Sequence, residues 1–171
     1  MDDVHVAVIP DGNRRYGRTE HDDAEQGHED GTETAVDLVD WLDGFPQVGR
    51  LTLWGLSNAN EEKRTDPELA HLNKLYRVYA EDMNKDDSRV HANDIRVEVV
   101  GDRDLLYDGS RAALEDLEAD TAMYDGVELG LALGYDASWD VEQAVAAADD
   151  AYGDGTRYEE FLEMPEVDIL M

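Results

Sequence analysis

Cysteine is absent from this chain, so a disulfide framework, a thiolate metal site and a thiol nucleophile are all unavailable. Lysine is nearly absent: Lys63, Lys74 and Lys85 are the only three among 14 basic residues, set against 43 acidic ones. Long apolar runs are missing as well. None approaches the ~18 uncharged residues of a membrane span, and the start Met1-Asp2-Asp3 is acidic where a signal peptide is basic. The expectation is a soluble, unexported, cytoplasmic chain. A formal charge of −29 repels nucleic acid and anionic lipid, which makes both poor partners. Leu, Ile, Val and Phe number 37 of 171 residues, just above the ~20% below which a highly charged chain stays disordered. Folding on that margin depends on salt to screen the self-repulsion. The acids favour Asp and run the whole length of the chain instead of forming a tail, which points to a halophilic host with molar cytoplasmic salt.

What the chain does contain is an alternation. Apolar, β-branched runs at Val4 to Pro10, Leu51 to Ser57, Ile95 to Val100, Val127 to Gly134 and Val167 to Met171 read as strands. Helix-period segments separate them, which predicts an α/β fold with a central, mostly parallel sheet flanked by helices. Residues 1–171 fit a single domain. Ala35, Leu38, Val39 and Leu42 share one helical face and Asp37, Asp40 and Asp43 the other. Asp66-Pro67 reads as the cap and first residue of a helix with the stripe Leu69, Leu72, Leu75, Tyr76, Tyr79 and Met83. A third helix runs from about Ser110 through Leu114 and Leu117. Ser138 is placed as the cap of a fourth, with Val141, Ala144, Val145 and Ala148 inward. Trp41, Trp54 and Trp139 are expected to pack helices on the sheet.

The first strand runs into Pro10-Asp11-Gly12-Asn13-Arg14-Arg15-Tyr16-Gly17-Arg18, three arginines within five residues of a base-poor chain. Guanidinium forks suit phosphate oxygens, and an acidic protein that holds a polyanion has to build a local positive pocket. Asp11 among them suits a hard cation such as Mg²⁺, which prefers one or two carboxylates plus ligand phosphates. The plainer alternative is an Asp-Gly hairpin turn with the arginines paired to surface acids. Ser57, Asn58, Asn60, Lys63 and Arg64 follow the second strand, and in a parallel sheet both clusters open at the same edge. Capping by Ser57 or Asn60 explains that cluster equally well. His28 lies within reach of the same edge, although a lone histidine is more often structural. His5, His21, His71 and His91 show no metal-binding spacing.

These blocks, taken in order, resemble the cis-prenyltransferases, the undecaprenyl diphosphate synthase-like enzymes. The residues concerned are His5-Val6-Ala7-Val8-Ile9-Pro10-Asp11-Gly12-Asn13-Arg14-Arg15-Tyr16, Gly27-His28-x-x-Gly31, Ser57-x-x-Asn60, Val99-Val100-Gly101-Asp102, Gly134-Tyr135 with Asp140, and Pro165-Glu166-Val167-Asp168-Ile169. The resemblance implies a Mg²⁺-dependent condensation of isopentenyl diphosphate with an allylic diphosphate to a cis-polyprenyl diphosphate, a carrier-lipid precursor. It implies Asp11 as the Mg²⁺ and diphosphate carboxylate. Gly12, Asn13, Arg14, Arg15 and His28 would cradle the allylic diphosphate, with Tyr16 in the place of a usual Trp. Asn60 would assist proton removal, with Ser57 and Lys63 as further substrate contacts. Leu38, Leu42, Leu72, Leu75 and Tyr79 would line an apolar slot, although core packing alone explains these residues equally well. It further implies a homodimer, or a heterodimer with a related chain, and transient membrane contact on release of the lipid product.

The departures are specific. Ala24 stands for a usual Arg, Ala59 for a Glu, Glu61 for an aromatic, Lys63 for an Arg, and Gly134-Tyr135-Asp136-Ala137-Ser138 for an Asn-Tyr-Gly-Gly-Arg block. The family's final arginine- and glutamate-bearing block has no counterpart, so the chain reads as C-terminally incomplete. Two alternatives stay open. One is a partner subunit that binds allylic diphosphate and needs a second chain; the other is a phosphatase-like domain with Asp11 as nucleophile.

Overall fold

In the computed structural model, which describes residues 3–57 and 64–171 apart from the Asp43 side chain, the β-branched runs pair as five parallel strands of one sheet. These are β1 (Val4–Val8), β2 (Val48–Leu56), β3 (Arg96–Val100), β4 (Glu128–Leu133) and β5 (Ile169–Leu170), in the spatial order β3-β4-β2-β1-β5. The α/β architecture expected from the alternation is the one observed. Strand β2 starts three residues before the apolar run because Val48 pairs with Val4.

Six α-helices connect the strands among the described residues: α1 (Asn13–Glu20), α2 (Ala24–Trp41), α3 (Asp66–Met83), α4 (Arg89–Ala92), α5 (Asp108–Thr121) and α6 (Ala137–Tyr152). Helix α1 begins directly after Asp11-Gly12, which removes the hairpin alternative. Two caps differ from the sequence expectation by one or two residues. Helix α3 is capped by Thr65, with Asp66 already helical, and Glu68 reaches back to accept from the Thr65 amide at 3.1 Å. Helix α6 is capped by Asp136, whose carboxylate accepts from the Ser138 amide at 2.9 Å; Ser138 itself lies inside the first turn.

The period-2 alternation of the strands separates two sheet faces. Leu51 and Leu53 of β2, Val97 and Val99 of β3, and Leu129 and Leu133 of β4 form one core with Leu114 and Leu117 of α5 and Ala80 of α3. Each such leucine contributes roughly 1.5–3 kcal/mol relative to exposure. The other face carries Val100, Ala132 and Tyr135 packed with Trp54 and Met164. Of the other two tryptophans, Trp139 is half-buried, whereas Trp41 is 64% exposed. Val141 and Val145 are exposed too, because α6 presents Ala144 and Ala148 inward and packs against the 3₁₀ segment Gly155–Phe161. No helix among the described residues is long and apolar enough to cross a membrane.

Candidate functional site

The C-terminal ends of β1 and β2 open on a cavity of about 700 Å³ with two chemically distinct ends. Asp11, Gly12, Asn13, Arg14, Arg15, Arg18, His28 and Arg64 line the polar mouth. Val36 and Val39 of α2, Tyr79 and Met83 of α3, Leu114 of α5 and the leucines of β4 line the apolar depth. Of the five residues expected to form a slot, Leu72 and Tyr79 line it. Leu38 and Leu42 pack into the core cluster instead and Leu75 is buried, because the helical faces are turned toward the sheet.

Local backbone geometry sets the mouth. Gly12 takes φ 95°, a left-handed conformation suited to glycine, at the N-terminus of α1. The Asp11 carboxylate turns back to accept from the Gly12 amide at 2.6 Å. Helix α1 then lies so close to α2 that a Cβ on Gly27 would stand 2.8 Å from both the Cα and the amide nitrogen of Gly17, and closer still to the Asn13 carbonyl oxygen. One turn on, a Cβ on Gly31 would overlap the Asn13 carboxamide. Gly17, Gly27 and Gly31 thus seat the first block of the site on the second. Gly17 has a role here that the sequence reading did not give it; its signal was the pair Gly27 and Gly31 at one-turn spacing.

His28, the residue after Gly27, is 7% exposed. Burial, followed by the nearby Arg64 and His71, pushes its pKa down from 6.5 to about 4, so the ring is neutral near pH 7. Its Nε2 lies 3.3 Å from Arg64 Nη1. Arginine can only donate, so Nε2 accepts and Nδ1 carries the ring proton. Arg14 Nη2 is 3.1 Å from Glu68 Oε1. The hydrogen bond from the Thr65 amide, then Arg14 and Arg64, hold the Glu68 carboxyl below the usual carboxylate range. Each guanidinium is gripped on one edge only: the Nε groups of Arg14 and Arg64 are buried with no hydrogen-bond partner among the described residues. Buried donors in that state call for an acceptor.

Asp11, Gly12, Asn13, Arg14, Arg15 and His28 therefore converge. Tyr16 lies outside the apolar cavity: it is 52% exposed and stands edge-on to His21, with ring centroids 5.9 Å apart, on an adjoining polar cleft that Asp11, Gly12, Asn13 and Arg15 also line. The helical twist of α1 carries it a quarter-turn past Arg15, away from the apolar depth. Ser57 lies at the end of β2, and Asn60 and Lys63 fall outside the described residues. Arg64 is the cation of that segment seen at the mouth. Among the described residues no group of three His, Cys, Asp or Glu side chains is placed to hold a metal ion. One exposed carboxylate, Asp11, beside unpartnered guanidinium donors fits a hard cation shared with a phosphate ligand and does not fit an all-protein cage.

A family model described as "Putative undecaprenyl diphosphate synthase" matches residues 9–171. The chain is similar to a tritrans,polycis-undecaprenyl-diphosphate synthase (geranylgeranyl-diphosphate specific) of Halobacterium salinarum, at 37% identity over 153 residues, which is 85% of this chain and 50% of that protein. It is similar to an isoprenyl transferase of Deinococcus radiodurans, at 37% identity over 143 residues, again 50% of that protein. The chain thus spans about half the length of these curated relatives. Its fold superimposes on lavandulyl diphosphate synthase from Lavandula x intermedia, solved with dimethylallyl diphosphate, with TM-score 0.83 and 22% identity over 99% of this chain and 76% of that one. A probable undecaprenyl diphosphate synthase from Campylobacter jejuni gives TM-score 0.76, also at 22% identity.

Proposed function

The chain belongs to the undecaprenyl diphosphate synthase family, and from that premise we propose that it binds an allylic diphosphate and serves in its elongation with isopentenyl diphosphate to a cis-polyprenyl diphosphate. The observation that carries this reading is the convergence of Arg14 and Arg64 at the mouth of an apolar cavity, their buried Nε donors without a partner among the described residues. A diphosphate at the mouth satisfies them, and a prenyl tail fills the depth.

In the condensation the allylic C1–O bond breaks and inorganic diphosphate leaves. C1 bonds to the terminal alkene carbon of isopentenyl diphosphate, and the proton lost from that substrate's C2 restores a double bond. Guanidinium groups fixed before the reaction stabilise charge on the leaving diphosphate without reorganising. Arg14, Arg15 and Arg64 do this electrostatically, Asn13 and Gly12 shape the loop, and neutral His28 holds Arg64. Asp11 would hold Mg²⁺, which supplies further neutralisation of the diphosphate. Asn60 is assigned to proton removal, with Ser57 and Lys63 as substrate contacts. Tyr16, turned to the neighbouring cleft, is left without a place on the allylic tail.

Residues 1–171 act as one domain in this reading, in the molar-salt cytoplasm that the composition and the Halobacterium relative favour. The domain works in a homodimer or with a related chain, touching the membrane as product leaves.

The test is incubation with geranylgeranyl diphosphate, labelled isopentenyl diphosphate and Mg²⁺ in multimolar KCl, beside Asp11→Ala. Labelled prenyl product from the wild type alone is expected. No product and no allylic diphosphate binding overturns the reading. Product only on mixing with a related chain assigns this one the partner role.

A further inference from the structure

We infer that Glu68 is a positioning residue for the diphosphate site, fixing Arg14 to the start of α3 through a carboxylate shared between two tasks. This rests on the reading of the mouth as an allylic diphosphate site. Oε2 of Glu68 accepts from the Thr65 amide at 3.1 Å and from the Thr65 hydroxyl at 3.3 Å, while Oε1 takes Arg14 Nη2 at 3.1 Å. The carboxylate is only 16% exposed, against 41% for the arginine. It is thereby fixed by the helix terminus before it meets Arg14, and the arginine inherits its orientation. Arg14 Nε stays buried and without an acceptor among the described residues.

The carboxylate has two opposite effects on an anion bound at Arg14. Its charge repels the anion; its grip spares the anion the cost of ordering a long side chain, ~0.5–1.5 kcal/mol. At molar salt the screening length falls to about 3 Å, which weakens the solvent-facing part of the repulsion, and the Arg14 charge 3.1 Å away offsets the rest, whereas the ordering effect does not depend on salt. Glu68 accordingly aids binding in KCl although it carries the same sign as the ligand. Glutamine keeps a single acceptor oxygen, which serves either the helix terminus or Arg14 but not both. Alanine removes both contacts.

The experiment is a double-mutant cycle between Glu68→Ala and Arg14→Ala, read by calorimetric binding of geranylgeranyl diphosphate with Mg²⁺ in multimolar KCl, with Tm recorded for each variant. Glu68→Ala should weaken binding about two- to tenfold in the wild-type background and not at all in the Arg14→Ala background, with Glu68→Gln between. A capping role alone lowers Tm in both backgrounds and leaves the binding ratio at one, which overturns the inference. Equal weakening in both backgrounds overturns it too. Failure of the wild-type chain to bind geranylgeranyl diphosphate refutes the underlying site reading and the inference with it. A wild type that binds while Glu68→Ala is silent refutes the inference alone.

Discussion

Replacing Gly27 with alanine tests whether the close crossing of α1 and α2 sets the mouth of the cavity. The new methyl would sit 2.1 Å from the Asn13 carbonyl oxygen and 2.8 Å from Gly17 Cα, where ordinary van der Waals contact begins at 3.4 Å, so the tightest contact must open by about 1.3 Å. Atoms on the far side are backbone, with no side chain to swing away. Overpacking of this kind costs about 1–3 kcal/mol, which for a chain of this length lowers Tm by roughly 2–12 °C. Because α1 carries Asn13, Arg14 and Arg15, the same displacement moves the groups proposed to face a diphosphate together. A misplacement of about 1 Å can cost 10²-fold in reaction rate. Differential scanning calorimetry and the labelled-product assay should therefore report a moderate loss of stability with a disproportionate loss of activity. Gly44→Ala, where an added Cβ meets nothing within 4 Å, is the control. A Gly27→Ala chain with wild-type Tm and wild-type activity would refute the crossing as the determinant of the site.

His28 titrates at about 6.5 when unfolded and about 4 when folded, so the unfolded state takes up its proton first as pH falls. Its contribution, up to about 3 kcal/mol, is full above pH 6.5 and lost progressively toward pH 4. Tm against pH should be flatter over that window for His28→Gln, and an unchanged slope argues against a buried neutral ring. Asp140 is 1% exposed and accepts from the Tyr135 hydroxyl at 3.0 Å and from the Glu163 and Met164 amides at 2.9 and 3.1 Å. Asp140→Asn turns a donor on at least one of them and should cost about 2–4 kcal/mol, seen as a lower Tm and faster proteolysis near Glu163; wild-type protection would disprove the anchor. Val39→Phe fills the apolar depth and should weaken geranylgeranyl diphosphate more than geranyl diphosphate, roughly fourfold for each methylene left unburied. Equal loss for both tails places them elsewhere. Dilution from multimolar to millimolar KCl lengthens screening from about 3 Å to tens of ångströms and should unfold the chain. Unchanged helical circular dichroism at low salt counts against screening as the source of its stability.

The fold was legible because strands buried between layers are written as short β-branched runs, and each of the five was placed within a few residues of its observed position. Helix ends were less so: Asp66 and Ser138 are good capping residues, but Thr65 and Asp136 stand earlier and take the role. Val141 and Val145 have the period of a buried face, yet α6 turns Ala144 and Ala148 fully inward, which leaves Val141 exposed and Val145 at the edge of the 3₁₀ segment beside Gly155. Half of the candidate site was legible for the same reason that the sheet was, since parallel strands deliver their ends to one edge. The α1–α2 crossing was not, because glycine contacts depend on which helices meet. Glu68 was hidden in a helix start, where Thr-x-x-Glu announces a cap and says nothing of a distant arginine.

On the face of the sheet away from the cavity, His5 Nε2 lies 2.8 Å from Thr52 Oγ1 and its Nδ1 lies 2.9 Å from the Glu166 carbonyl oxygen. Arg50 there bridges Glu98 at 2.9 Å and Glu128. Alternating hydrophobicity penalises a strand that slides by one position, since every side chain changes sides. It is blind to a slide of two, which keeps the leucines inward. Such a slide would present Trp54 or Arg50 to the His5 ring in place of a hydroxyl and break its contact with Thr52. This imidazole is a keyed tooth that lets β1 and β2 mesh in one alignment only.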